Sequence, residues 1–407
     1  MTDRVDVVIA GGGLNGPCLG LALAQAGLQV AVVDPRPAQA RTDRGFDGRA
    51  YALALASQRL LAGLGVWDAL ADGAQPILRV DAEQARGGEE PGIFGLHFDA
   101  AEIEEGPLGY MVEDRHLYAA LLDAMSGSLR HESGVGVADE AAGPHEIEVS
   151  LSDGRHISAR LLIGADGRAS GVAARAGIRR VGWDYGQTAV VCTVAHQLPH
   201  GGTARQVFLP GGPLAILPLK GDHSLIVWSL PDDEAAALKL RDDAAFLDVL
   251  RPVFGEQLGA ISLAGPRFSY PLGLSLATRY VAPRRALVGD AAHGVHPIAG
   301  QGLNLGLRDV AALAECIVDA KRRGEDIGAQ TVLDRYQGWR RFDATLLAAG
   351  MDGVNHLFSN ENPVIRAGRG LGMGVVQSVP ALRRTFIREA AGLSVRPMPR
   401  LLAGQPL

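Results

Sequence analysis

Apolar residues change their spacing several times along the chain. Residues 6–10 form an unbroken apolar run, residues 14–26 repeat apolar side chains at helical spacing as far as Gly27, and residues 29–34 run apolar again to Asp34. Short continuous runs read as strands buried on both faces, so the opening predicts a strand–helix–strand unit. Helical spacing returns over 52–64 and over 114–125, the latter with Asp114 as its expected N-cap. Residues 160–165 predict another buried strand, leading into Asp166. The texture then becomes β-rich over 187–197, 204–209, 214–219 and 223–230. Pro210-Gly-Gly-Pro213 and Lys220-Gly-Asp222 punctuate these runs, which predicts an antiparallel meander. A buried strand at 285–289 and a helix at 302–320 restore the first texture.

Pieces of one kind bracketing pieces of another predict a discontinuous domain. The expected fold class is α/β (α+β overall). A doubly wound nucleotide-binding domain takes residues 1–75, 106–180 and 278–345. An antiparallel β domain takes 76–105 and 181–277, and a helical segment takes 346–407. A chain of 407 residues is long enough to need more than one core. The 53 Gly and 22 Pro are interleaved with apolar runs, which marks tight turns rather than disorder. No run of eighteen uncharged apolar residues predicts a membrane span, and the first ten residues are too briefly apolar for a signal peptide. Cys18, Cys192 and Cys316 are far apart and form no CxxC pair, so a reducing, cytoplasmic setting without disulfides is expected. The net charge of −6 conceals an asymmetry. From residue 362 onward seven Arg face one acid, Glu389, a net of +6 that leaves −12 on the first 361 residues. No nucleic-acid-binding signature accompanies that basic tail, and no nucleic-acid partner is expected.

Two loops carry candidate chemistry. Gly11-Gly12-Gly13-Leu14-Asn15-Gly16 joins the first strand to the first helix, and Asp34 ends the second strand. Gly11 suits a tight turn, Gly13 the approach of a pyrophosphate, and Gly16 the packing of helix on strand. Asp34 can accept a ribose hydroxyl. This motif alone fits NAD or FAD. The second loop, Arg285-Ala-Leu-Val-Gly-Asp290-Ala-Ala-His293, runs into His296-Pro-Ile-Ala-Gly-Gln-Gly-Leu-Asn304-Leu-Gly-Leu-Arg-Asp309. Asp290 at a strand end can hold a polyol hydroxyl, and the turn through Gly300, Gln301, Gly302, Leu303 and Asn304 can aim N–H groups at an anionic ring edge beside Pro297. An extended cofactor with ADP at one loop and isoalloxazine at the other accounts for both, which selects FAD. No His or Cys sits in an attachment motif, so the FAD is expected to be non-covalent. His293 and His296 have no acids at metal-ligand spacing, and no metal is assigned.

These motifs resemble the class A flavoprotein aromatic hydroxylases, and within them the ubiquinone-biosynthesis hydroxylase family, over nearly the whole chain. The stretch 296–309 is similar to that family's signature, HP-x-(A/G)-GQG-x-N-x-G-x-x-D. Gly164-Ala-Asp166-Gly-Arg-Ala-Ser170 resembles the motif that touches FAD along the nicotinamide path. Phe46-Asp-Gly-Arg49 resembles the segment whose Arg approaches the flavin, and Val112-Glu-Asp-Arg115 the one whose Arg meets the FAD phosphates. Val172-Ala173 replaces the usual Val-Arg after the second motif, with Arg175 further on, which leaves the contact to the reductant open. The resemblance implies reduction of FAD by NAD(P)H or another donor, reaction with O2 to a C4a-hydroperoxide, and transfer of one oxygen to a polyprenylated phenol. No general base is named. Two other readings stay open: a hydroxylase of a small soluble aromatic acid, and a non-catalytic flavin-fold scaffold protein.

A lipid substrate implies a bilayer nearby. Val375, Val376, Val379, Leu382, Phe386 and Ile387 fall largely on one helical face, with Arg383, Arg384 and Arg388 beside it. That face is expected to pack on the FAD domain or on a partner, in a homo-oligomer or a ubiquinone-biosynthesis complex. Alternatively, it docks the protein peripherally on the inner membrane.

Overall fold

The computed structural model describes residues 3–41, 48–84, 95–358 and 363–407. Asp3–Ala10 is the central strand of an eight-stranded sheet. It pairs in parallel with Val30–Asp34 on one side and His156–Gly164 on the other, and Arg130–Ser133 and Arg285–Leu287 extend the two flanks, also in parallel. Val7, Val8 and Ile9 are fully buried because both faces of this sheet are covered, which explains why the strand reads as a continuous apolar run. The helices Asn15–Gln25 and Gln301–Arg322 pack against each other although they lie far apart in sequence.

A nine-stranded sheet forms the second layer. Its order is His293–Gly294, Phe268–Ala277, Arg180–His196, His223–Pro231, Gly212–Leu219, Thr203–Leu209, Arg79–Gln84 and Leu96–Asp99, with Ile261–Leu263 paired off this path. Alternation gives the sheet two apolar faces. Val190, Cys192, Val194, Ile216 and Trp228 pack with Phe246, Leu250 and Phe254 of the Asp243–Phe254 helix as a separate core. The intervening residues look toward the nucleotide domain.

Three local expectations are corrected. Residues 52–54, expected to begin a helix, belong to the strand Ala50–Ala54, which pairs with Gly109–Glu113; the helix is Leu55–Gly63. Partner strands overrode the local preference of an Ala- and Leu-rich segment. Asp114 does not cap the Asp114–Met125 helix: its carboxylate accepts from Tyr51 Oη at 3.0 Å and lies 3.4 Å from Arg49. The expected boundary at 345/346 falls inside one unbroken helix, Gln330–Phe358, whose buried Tyr336, Arg340, Ala344, Ala348 and Met351 keep helical spacing across it.

Candidate cofactor and substrate site

The two layers enclose a cavity of about 960 Å3 that both glycine-rich loops reach. At the first loop, Gly11 has φ +115° and an added Cβ would lie 2.3 Å from the Ala165 carbonyl oxygen; at Gly16 it would lie 1.9 Å from that of Gly11. Both positions therefore exclude any side chain. Gly16 serves packing and is not part of the cavity lining. Gly13 lines the cavity and has open space where a side chain would be, which is room for a phosphate. The Asn15–Gln25 helix starts beside it with no side-chain cap, leaving its first N–H groups directed outward. Asp34 is buried and lines the cavity, accepting from Gly12 N at 2.6 Å and Arg36 N at 2.8 Å.

At the second loop, Pro297, Gly300, Gly302 and Leu303 line the cavity, and Gly302 too faces open space. Gly300, at φ +63°, leaves the N-terminus of the Gln301–Arg322 helix without a side-chain cap, a second helix end open to an anionic group. Asp290 also lines the cavity, with its carboxylate 3.5 Å from Arg168 Nε and nearly half exposed. Asp166 gives one oxygen to Val172 N at 3.1 Å, while its Oδ1 is buried without a hydrogen-bond partner. Arg49 lines the cavity beside Asp114. The residues thus fit a dinucleotide: an acid at each loop, two uncapped helix ends, and orphaned buried oxygens on Asp166 and Asn15.

Three further expected site residues are not among those that line the cavity. Asn304 spends its carboxamide on the protein, accepting from Ala54 N and Ser57 Oγ (both 2.8 Å) and donating to the Ala52 and Gly300 carbonyls, so it fastens the second loop to the 50–57 segment. Arg115 does not line the cavity; its Nε donates to Glu113 at 2.6 Å. Gln301 is buried and is also absent from the lining. Arg175 does line the cavity, paired with buried Glu140.

Other contributors were not anticipated. Asn15 fills the space over Gly289 and Gly306, where an added Cβ would collide with its side chain. A glycine inside the apolar 302–320 pattern was the available signal. Arg180 donates to the carbonyls of Asp290 and Ala291 and, through Nε, to Ser275 Oγ at 2.7 Å, tying the second loop to the large sheet. Behind that loop, fully buried Asp309 accepts from Gly289 N at 3.0 Å and Arg340 Nε at 2.9 Å and meets His293 Nε2 at 2.5 Å. Burial alone would raise this carboxyl; His293 and Arg340 hold it below the ordinary carboxylate value.

The sheet wall opposite the loops is formed by Ala215, Leu217, Leu225 and Val227 with Gln206 and Tyr270. Among the described residues this wall carries no cation; the cavity's arginines, Arg36, Arg49, Arg168 and Arg175, lie outside it. Arg205 belongs to the other face, donating to Gln257 at 2.7 Å and lying 3.4 Å from Glu83.

Residues 4–348 match the family model described as an FAD binding domain. Ubiquinone hydroxylase UbiL of Rhodospirillum rubrum is 46% identical over all of this chain and 94% of its own length. The 3-demethoxyubiquinol 3-hydroxylase of Escherichia coli is 37% identical over 97% of this chain and its full length. Among solved structures, p-nitrophenol 4-monooxygenase PnpA of Pseudomonas putida superimposes with a TM-score of 0.79 over 97% of this chain and all of its own, at 20% identity, a likeness of fold.

Proposed function

Because the chain belongs to the FAD-dependent ubiquinone-biosynthesis hydroxylases, we propose that it hydroxylates the aromatic ring of a polyprenylated phenol. FAD, when bound, supplies the chemistry: it takes electrons from NAD(P)H or another donor and delivers one atom of O2 to the ring. Gly13 and the Asn15 helix end would receive the pyrophosphate, Asp34 the ribose, Asp290 the polyol arm, and Gly300–Leu303 the flavin edge. The observation that carries the substrate reading is the apolar, cation-free sheet wall facing those loops. A small aromatic acid would need a cation for its carboxylate; Arg205 is engaged on the opposite face, and the cavity arginines Arg49 and Arg168 already face Asp114 and Asp290. The chain's own task is to shield the reacting ring from water and hold it against the flavin.

Reversible docking on the bilayer that holds the substrate completes the proposal. No helix among the described residues is long and apolar enough to cross a membrane. Val375, Val379, Leu382 and Phe386 remain exposed along Pro363–Ser378 and Pro380–Ala390, with exposed Arg384 beside them. The deciding experiment is to delete the gene, identify the aromatic intermediate that accumulates, and supply it to the purified yellow protein with NADH or NADPH in air. A product heavier by one oxygen, formed with bleaching and recolouring of the flavin, supports the proposal. Accumulation of a water-soluble aromatic acid would replace it with the other hydroxylase reading.

A further inference from the structure

We propose that Gln206 is the residue that orients the substrate ring, through a hydrogen bond between its carboxamide and an oxygen substituent of that ring; this rests on the hydroxylase reading above. Gln206 lies on Thr203–Leu209 in register with Ala215, which is itself in register with Val227. Directly paired residues project to one face of a sheet. The carboxamide therefore stands at the margin of the apolar wall and lines the same cavity as Pro297 and Gly302.

Its hydrogen-bonding capacity is unspent. Gln206 is half-buried, and although its backbone is paired in the sheet, its carboxamide makes no hydrogen bond among the described residues. Several other glutamines are engaged: Gln25 donates to the Leu64 carbonyl, Gln187 to that of Gly211, and Gln337 accepts from Tyr280 N. An amide facing an apolar chamber that closes around a ligand loses water, and only a partner on the ligand restores what it loses.

The chemistry of the group defines the partner. A carboxamide offers two donors and an acceptor and carries no charge, so it matches a neutral hydroxyl or alkoxy oxygen and gives no counter-ion to a carboxylate. Tyr270 is the one other polar side chain on this wall among the described residues, and burial raises its pKa, so it too stays a neutral group. An apolar pocket with one or two placed polar groups is the usual way of fixing a ring's orientation.

The test uses the FAD-loaded protein and two short-tailed ring analogues, one carrying the ring oxygens and one with methyl groups in their place. Each is titrated by its perturbation of the flavin's visible spectrum. The wild type should bind the oxygenated ring more tightly, on the order of tenfold, and Gln206→Met should bind the two equally. FAD content and the rate of flavin reduction should be unchanged in Gln206→Met. Its yield of hydroxylated product per reductant consumed should fall, with the remaining electrons recovered as hydrogen peroxide from O2, a readout that a purely structural role would not move. Equal affinities in the wild type, or discrimination that persists in Gln206→Met, would overturn the assignment, and the wild-type comparison decides even if the variant does not fold. Preference for the oxygenated ring with no phenol hydroxylated by the wild type would instead keep the anchor and sink the hydroxylase reading.

Discussion

Asp290 and Asp166 face one cavity with different commitments. The nearest charged partner of Asp290 is Arg168 at 3.5 Å, and its carboxylate is open to the ligand; Asp166 spends an oxygen fixing Val172 N at the start of the Gly171–Arg175 helix. Asp290→Ala should therefore weaken FAD binding by about 1.5–3 kcal/mol, the worth of a charge-assisted hydrogen bond, and far more than Asp166→Ala does. Titration of apoprotein with FAD measures both, and equal losses would contradict these roles. His296 is a residue of another kind. Its ring is buried against Tyr185 with no hydrogen bond on either nitrogen. Burial pushes its pKa down from 6.5 to about 4, with Asp352 pulling upward and Arg168 adding to the fall. The folded protein therefore resists protonation there, while the unfolded chain accepts the proton near pH 6.5. Stability from this residue is complete above that pH and is lost as pH falls toward 4, by at most about 3 kcal/mol. Denaturant melts between pH 7 and 4 should give a flatter pH dependence for His296→Phe than for the wild type. Persistence of the full slope would assign it to other groups.

At the scale of elements, the carboxyl-terminal helices divide their apolar residues between two jobs. Ile387 is fully buried in the main core, while Val375, Val379, Leu382 and Phe386 stay outside. The arginines divide likewise. Arg383 is 2.7 Å from Glu102 and Arg388 is 2.7 Å from Glu105, so both hold Pro380–Ala390 against the 96–105 region, and Arg384 alone of the three has no partner among the described residues. Reversing all three charges would disturb this packing, so the informative variants are Leu382→Ser with Phe386→Ser, and Arg384→Gln or Arg384→Glu. In liposome flotation the serine pair should abolish binding, and Arg384→Gln should weaken it on anionic vesicles only, by about 1 kcal/mol for the lost charge, with Arg384→Glu weakening it further. Binding that ignores both would remove this face from the proposal. Element type was legible wherever one period ran long enough, as in Asp114–Met125 and Gln301–Arg322. It was not legible at Ala50–Ala54, where a short run of Ala and Leu suits either state and only the Gly109–Glu113 strand decides. Likewise, Gln206 and Ala215 read as strand residues, but nothing local says which face of the sheet meets the cofactor loops. Glycine loops are the reverse case: the backbone geometry that a phosphate demands is written in the residues themselves, and Gly13 and Gly302 do line the cavity with open space beside them.

For the whole molecule, the cavity draws on the opening unit, the middle sheet and the late loop, and no His or Cys is among the described residues that line it. Non-covalent FAD is therefore expected, and acid precipitation should release all the yellow colour to the supernatant; colour retained in the pellet would refute this. The clasp of Asn15 over Gly289 and Gly306 has a consequence in time. A chain leaving the ribosome reaches its first glycine loop almost at once but must wait for residues 289 and 306 before Asn15 has both glycines to close upon. Domains that form during synthesis do so as their segments emerge, and here the large sheet is complete in sequence before the cofactor's seat is. Loading of FAD should therefore wait until the chain has grown past residue 306, and a polypeptide truncated before the Gln301–Arg322 helix should emerge colourless, with the apolar partners of that helix uncovered and prone to aggregate.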